Sequence, residues 1–341
     1  MLSTLGRRLA VGILLAGTCL VSGCGLLNGS SEVEEALEYL PADASTVTFV
    51  SRAAVVERLG LEDVDADTSS TDMENYLTTI AEDGAPLTQL DTYVQVMTDR
   101  AAFSALDVQW EAAAGADDHR VVVWKLDDDT DFDHIARDLE DAGYQRSGSN
   151  DEPTFAADLE DAGADGLIGQ RYPASLLNLA LVPDEHVVIS GDVAVGVAVA
   201  IDKADSLSDQ GSFDHLLDVA PEQSDLEFAA MTIDPQCGPA GRSGPTVHGD
   251  VAHPDGIGFY IAPQAPITIA RLFDDEEDRA LEAKGFADHL ASSGKQTGLD
   301  VDFDVSTEED AVVVETDFDH RAAVTLAWQR NEGPFSCVRP T

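Results

Sequence analysis

The chain has 341 residues, of which 44% are hydrophobic and 25% are charged, so it can form a packed core and wholesale disorder is not expected. Its formal net charge of −46 repels nucleic-acid backbones and anionic lipid headgroups, which excludes a nucleic-acid-binding function. The same charge concentrates divalent cations or basic partners near the surface, although an acidic coat adapted to high salt has this composition too.

The N-terminal 23 residues have the pattern of a targeting segment. Arg7 and Arg8 are the only charges before Glu32, and an apolar run of about a dozen residues follows them, too short to span a bilayer, which needs about 20. The run closes with Val21-Ser22-Gly23-Cys24. This segment resembles a bacterial lipoprotein signal and its lipobox, and the resemblance implies that Cys24 is acylated and becomes the mature N-terminus.

A lipidated Cys24 would hold the protein at the outer, extracytoplasmic face of the cell membrane, because two acyl chains anchor a protein stably. The membrane is then a partner through the N-terminal lipid. Three alternatives stay open: an uncleaved anchor helix, a secretory signal cut elsewhere, and twin-arginine rather than Sec export through Arg7 and Arg8.

Capping residues and apolar periodicity predict the helices, and alternation predicts the strands. Ser31 with Glu34 fits a capping box, and Gly60 and Gly143 are expected to end helices. The predicted helices cover 32–39, 51–59, 73–82, 131–142, 193–201, 267–290 and 321–330. The predicted strands cover 46–50, 106–112, 120–124, 176–181, 187–190, 226–233, 257–261, 299–305 and 311–315.

These elements predict an α+β fold with mixed or antiparallel sheets and helices packed on one face. A β-β-α-hairpin-α order occurs over 106–203 and again over 226–331, and 181–189 echoes 305–314. We interpret this as two repeated modules, although coincidence can also produce such a run. The predicted organisation is a signal peptide and three further parts: 1–23, a tether with a short helix over 24–45, a first α+β module over 46–205 and a second over 206–341.

Two aspartate series and one histidine pair are the candidates for metal binding. The series from Asp63 to Glu74 matches part of an EF-hand loop, but Thr68 stands where glycine is needed. Asp127, Asp129, Asp131 and Asp133 repeat the same spacing, but this second series lacks both the glycine and the final glutamate of an EF-hand loop. His248 and His253 lie near Asp250 and Asp255 but lack clear further ligands for zinc. We therefore predict no metal site.

The sequence contains no nucleophile elbow, phosphate loop, dinucleotide fingerprint or His-Glu-x-x-His motif. Aromatic residues make up only 6%, which argues against a cleft that stacks sugars. Trp110, Trp124 and Trp328 are expected to pack in the core. The prediction is a protein that is not an enzyme, without catalytic residues and without a cofactor.

Three segments resemble uncharacterised actinobacterial surface lipoproteins: Leu40–Ala44, the strand over 106–112, and the end at Phe335-Ser336-Cys337. No activity is assigned to that family, so the resemblance transfers no site residues and implies only surface anchoring. Few of the basic residues are lysines, which is typical of a GC-rich genome, actinobacterial or haloarchaeal.

Two of the four cysteines lie in or next to the N-terminal targeting segment, and two lie in the rest of the chain. Cys19 would leave with the signal and Cys24 would carry lipid, which leaves Cys237 and Cys337 in an oxidising compartment. We predict a disulfide between them, which would close a loop of about 100 residues and contribute roughly 4.7 kcal/mol in the chain-entropy model. A two-thiol metal site or a nucleophilic cysteine lacks partner residues in the sequence.

The predicted function is a membrane-anchored lipoprotein with a non-catalytic binding or scaffolding role. A cavity between the sheet and its helices, lined by residues such as Val197 or Ile201, would support binding. The alternatives are an envelope interaction protein without a small-molecule site and an enzyme whose site is assembled from distant residues. The sequence identifies neither a ligand nor an oligomeric state.

Overall fold

A computed structural model describes residues 31–65, 68–116, 119–149, 151–158, 169–211, 213–221, 226–235, 253–293, 301–329 and 335, with 286–293 described by their backbone alone. These residues belong to one unit that extends over 31–341. No helix of this described part is long and apolar enough to cross a membrane.

Within the described residues, twelve antiparallel strands form one continuous sheet. They are β1 (Thr46–Ser51), β2 (Val108–Gly115), β3 (Arg120–Leu126), β4 (Gln145–Gly148), β5 (Pro153–Ala156), β6 (Asn178–Val182), β7 (Val187–Gly191), β8 (Phe228–Ile233), β9 (Gly256–Ile261), β10 (Ile267–Leu272), β11 (Asp304–Glu308) and β12 (Ala311–Thr316). Their order across the sheet is β11-β12-β10-β9-β8-β1-β2-β3-β7-β6-β5-β4, so the β1–β8 pair lies near the centre.

The described helices are α1 (Glu32–Glu38), α2 (Arg52–Leu59), α3 (Ser70–Asp83), α4 (Val94–Arg100), α5 (Phe132–Ala142), α6 (Val193–Ala200), α7 (Leu207–Gln210), α8 (Asp214–Asp218), α9 (Glu276–Ser293) and α10 (Arg321–Gln329). The predicted capping box at Ser31 and Glu34 is confirmed. Gly60 and Gly143 end α2 and α5 in the left-handed conformation that glycine adopts without strain, as predicted.

Both faces of the central strands are buried. Alternate residues of β3 point to opposite sides: Val121 and Val123 belong to one apolar cluster, and Val122 and Trp124 belong to another. The first cluster includes side chains of α1, α7 and α8 and is flanked by α6, and the second includes side chains of α2 to α5. The α+β class with antiparallel strands is confirmed, but the helices cover both faces rather than one.

An internal repeat is visible in the strand order. Outward from the central pair, β1-β2-β3-β7-β6 corresponds to β8-β9-β10-β12-β11 with the same antiparallel pairing. The two hairpins that the sequence matched, 181–189 and 305–314, occupy equivalent places. The predicted alignment paired the strand over 226–233 (β8) with the strand over 106–112 (β2). In the structure β8 corresponds to β1 instead, so the repeat is shifted by one strand. Both predicted modules contribute to this sheet, and the boundary between 205 and 206 stays a prediction.

Two predicted elements are wrong in type or register. Residues 267–272 form β10 instead of the start of a helix, and the helix α9 begins only at Glu276. Strand β11 starts at Asp304 rather than at 299, so the hairpin turn falls at Glu309 and Asp310. Strands β4 and β5 were not predicted, because the exposed residues of β4 show no apolar alternation.

Candidate functional site

The predicted lipidation and disulfide residues lie outside the described residues. Cys24, Cys237 and Cys337 therefore keep the status of predictions. His248 and Asp250 also lie outside, whereas the Nδ1 atom of His253 lies 2.9 Å from the carbonyl oxygen of Pro254.

Within the described ranges, no group of three or more His, Cys, Asp or Glu side chains is placed to hold a metal ion. Asp255, which the sequence placed near the histidine pair, accepts a hydrogen bond from the backbone N–H of Asp274 at 2.8 Å. His119 lies 3.3 Å from Asp43 and His215 lies 3.1 Å from Asp310, but these two pairs do not line the clefts described next.

Two clefts lie at one end of the sheet, close to its centre. Strands β1, β3 and β9 end there, and β2 and β8 begin there, as the pairing of Val50 with Phe228 and of Val108 with Leu126 shows. The larger cleft has a volume of about 670 Å³ and the smaller about 400 Å³. Ala53 and Glu57 of α2 line both, so we treat the two clefts as one feature, the end groove.

Local structure explains how α2 enters the end groove. Ser51 ends β1 and caps the helix, its hydroxyl accepting the backbone N–H of Ala54 at 3.1 Å. No loop separates strand from helix, so α2 starts directly at the sheet end. Ala53 and Glu57 are four residues apart and share the exposed side of α2. The small side chain of Ala53 therefore lies where the two clefts adjoin.

Six carboxylates line the larger cleft, and Arg52 is the one basic residue among the described residues that line it. The carboxylates are those of Glu57, Glu62, Asp65, Asp107, Asp127 and Asp129. The turn after β3 is fixed by the backbone bond from the N–H of Asp127 to the carbonyl of Asp107, at 3.0 Å. The carboxyl of Asp107 also accepts the backbone N–H of Ser104 at 2.7 Å.

Burial and mutual repulsion affect the ionisation of these groups. Burial raises the pKa of Asp127, and the neighbouring carboxylates Asp107 and Asp129 raise it further, although Gln109 and Arg52 oppose them. Burial also raises the pKa of Asp107 against the hydrogen bonds from Ser104. A raised pKa means that the anionic form is disfavoured, so a bound cation would relieve this repulsion.

Arg52 lies at the edge of the cleft and is 8% exposed. Its Nε donates to the hydroxyl of Tyr76 at 3.3 Å, and its Nη1 donates to the carbonyl of Leu106 at 3.1 Å. Nη2 is buried and has no hydrogen-bond partner among the described residues. An unsatisfied buried donor is costly, typically by about 1–3 kcal/mol, so an acceptor that reached Nη2 would be stabilising.

The smaller cleft carries two carboxylates, Glu32 and Glu57, and one guanidinium, that of Arg58. Glu32 lines it together with Ser51, Arg58 and Gln264, and burial raises the pKa of Glu32. The guanidinium of Arg58 is already engaged, because it forms ion pairs with the fully buried Glu227 and with Asp83, the latter at 2.7 Å. This part of the groove therefore adds one carboxylate, that of Glu32, to the acidic larger cleft, since Glu57 lines both clefts and the partners of Arg58 offset its charge.

The predicted apolar cavity is not the site. Neither cleft is lined by Val197 or Ile201, which instead pack against the apolar cluster on one face of the sheet. Trp110 and Trp124 are buried in the core as predicted, and Trp328 is half-buried. The sequence signal for the groove was present in both aspartate series, since Asp65, Asp127 and Asp129 come together here, while Asp131 caps α5.

Comparison with known proteins found no match: no family model, no curated protein and no solved structure resembles this chain.

Proposed function

We propose that this protein is a lipid-anchored, extracytoplasmic binding protein without catalytic activity, and that the end groove binds a positively charged ligand. The observation that carries the binding part is the convergence of six carboxylates on one cleft around a single base. Burial raises the pKa of Asp127 and the neighbouring carboxylates Asp107 and Asp129 raise it further, so a cation between these groups would be stabilising. The chain's net charge of −46 would draw such a ligand toward the surface.

Spermine is a suitable first probe, because it carries several positive charges on a flexible chain. The groove variant combines Glu57→Gln, Asp127→Asn and Asp129→Asn, which removes three carboxylates that line the larger cleft. Each exposed ion pair contributes up to about 1 kcal/mol, so the variant should bind spermine roughly tenfold or more weakly in calorimetric titration.

The control variant changes the same number of charges next to the groove. It combines Glu74→Gln, Asp128→Asn and Asp133→Asn, exposed residues that do not line either cleft. Binding by the control should weaken clearly less than binding by the groove variant, since its three carboxylates are exposed to solvent and do not line the clefts. Equal weakening in both variants would mean that spermine responds to overall charge alone, and the proposed binding site would be abandoned.

The anchoring part rests on Val21-Ser22-Gly23-Cys24 after the charged apolar leader. Cys24→Ala removes the thiol that would be acylated, so the protein should leave the membrane fraction of expressing cells. Cys19→Ala is the matched control, because Cys19 lies in the same leader before the cleavage point. Retention of the Cys24→Ala protein in the membrane fraction would favour an uncleaved anchor helix.

The same export prediction places Cys237 and Cys337 in an oxidising compartment. We expect a disulfide between them, visible as one cross-linked peptide pair in a non-reducing digest analysed by mass spectrometry. Free alkylated thiols at both positions in protein purified from the envelope would contradict this pairing.

A further inference from the structure

We infer that the ligand of the end groove is an extended basic peptide segment, whose cationic side chains meet the carboxylates while one of its backbone carbonyls accepts a hydrogen bond from Arg52. This inference rests on the proposed function, because it names the chemistry of the ligand at that site.

The negative net charge of the groove decides first which classes of ligand can bind. Six carboxylates and one guanidinium line the larger cleft, so an anionic ligand such as a phosphate or a free carboxylate would be repelled there. Metal ions are a poorer fit, since no group of three or more acidic or histidine side chains in the described part is placed to coordinate one. Organic cations remain, and they divide into those with and those without a hydrogen-bond acceptor.

Arg52 distinguishes these two kinds of cation. It is 8% exposed, its Nη2 lacks a partner among the described residues, and its charge acts on the cleft carboxyls Asp107 and Asp127. A polyamine has only donors, so it leaves Nη2 unsatisfied and brings like charge toward the guanidinium. A peptide has a carbonyl oxygen at every residue, which can accept the N–H while its side chains keep their charges on the acidic wall.

The extent of the groove indicates an extended segment. Pro263 follows β9 at one side and Asp127 follows β3 at the other, and the strands between them are β8, β1 and β2. Four spacings of about 4.8 Å between neighbouring strands give a span of roughly 19 Å. An extended chain covers about 3.3–3.6 Å per residue, so five to six residues fill this span.

The test compares two probes of equal charge on the full chain. The first is an acetylated and amidated hexapeptide of four lysines and two glycines, and the second is spermine. A hydrogen bond between a guanidinium and a carbonyl should make the peptide bind about tenfold more tightly than spermine to the wild type. Arg52→Lys keeps the positive charge but has no Nη2, so it should remove most of that preference.

The outcomes separate the two proposals. If spermine and the peptide bind the wild type equally and the groove variant weakens both, cation binding stands and the peptide inference is overturned. If neither probe binds, or the groove variant binds both as the wild type does, the proposed function itself fails. Thermal unfolding shows whether Arg52→Lys folds, and if it does not, the comparison of the two probes on the wild type decides alone.

Discussion

Glu111 is a buried carboxyl whose ionisation should make stability depend on pH. It lies on β2 and is 6% exposed. Its carboxyl accepts the indole N–H of Trp124 at 2.5 Å and the backbone N–H of Gln89 at 2.8 Å. Burial raises the pKa of Glu111 from 4.5 to about 7; those donors oppose the shift, and the nearby Asp91 adds to it.

The direction of the pH effect follows from this shift. Between pH 4.5 and 7 the folded protein holds a proton on Glu111 that the unfolded chain has lost, so rising pH removes stability across this window. Below the window both states are protonated, and above it both are ionised. A shift of about 2.5 units corresponds to roughly 3 kcal/mol, most of which is lost between pH 5 and pH 8.

Glu111→Gln keeps an oxygen for the two donors and cannot ionise. Its free energy of unfolding relative to the wild type should therefore rise by about 2–3 kcal/mol from pH 5 to pH 8. Urea unfolding followed by tryptophan fluorescence at both pH values measures the difference, and any fixed cost of the new amide cancels in it. Glu74→Gln, at an exposed position, is the control with no such change. A flat difference for Glu111→Gln would refute the reasoning.

Two further predictions concern stability. Arg58→Ala leaves the fully buried Glu227 without its ion-pair partner, which should lower the free energy of unfolding by about 3–5 kcal/mol in urea titration. Arg146→Ala breaks an exposed pair and should cost less than about 1 kcal/mol. Gly191→Ala would place a Cβ against the carbonyl oxygen of Arg120, at a φ of +87°. Gly60→Ala has open space around the new Cβ, and its φ of +66° should lower the free energy of unfolding by about 1–2 kcal/mol. Gly191→Ala should therefore lower the melting temperature clearly more than Gly60→Ala.

Each of these two comparisons, between the arginine variants and between the glycine variants, has an outcome that would contradict it. Equal losses for the two arginine variants would show that the Glu227 contact contributes no more than a surface pair. Equal melting temperatures for the two glycine variants would show that the β3–β7 pair adjusts to the extra methyl group without cost.

Local signals in the sequence were sufficient for most elements. Ser31 and Asp131 cap helices where their side-chain oxygens can accept backbone N–H groups, and Gly60 ends α2 because it adopts the left-handed conformation. These are interactions between residues a few positions apart, so the sequence alone contains them.

Strand β10 shows where such signals fail. Every residue from Ile267 to Leu272 is buried, because helices cover both faces of the sheet there, so the alternation that marks a half-buried strand is missing. Arg271 is buried in this strand because Glu282 of α9 meets its charge at 2.8 Å. That partner lies in the next element, and no local pattern indicated it.

The candidate site shows the same limit at longer range. Both aspartate series were visible, but Asp65 and Asp127 come together only because β2 and β3 pair beside β1 and return the chain to one end of the sheet. The unpartnered Nη2 of Arg52 is likewise a product of packing against Tyr76 and Leu106. Residue types indicated the charge of the site, and the sheet topology determined its place.

Hydrogen–deuterium exchange with and without the four-lysine hexapeptide tests the end groove most directly. Slower exchange on peptide binding is expected in segments 52–57, 106–109 and 127–129, which contain residues that line the groove. The acidic first turn of α9, Glu276 to Asp278, should exchange at the same rate in both states, since it is also anionic but does not line the groove. Protection of that turn with no change at the groove would contradict the account.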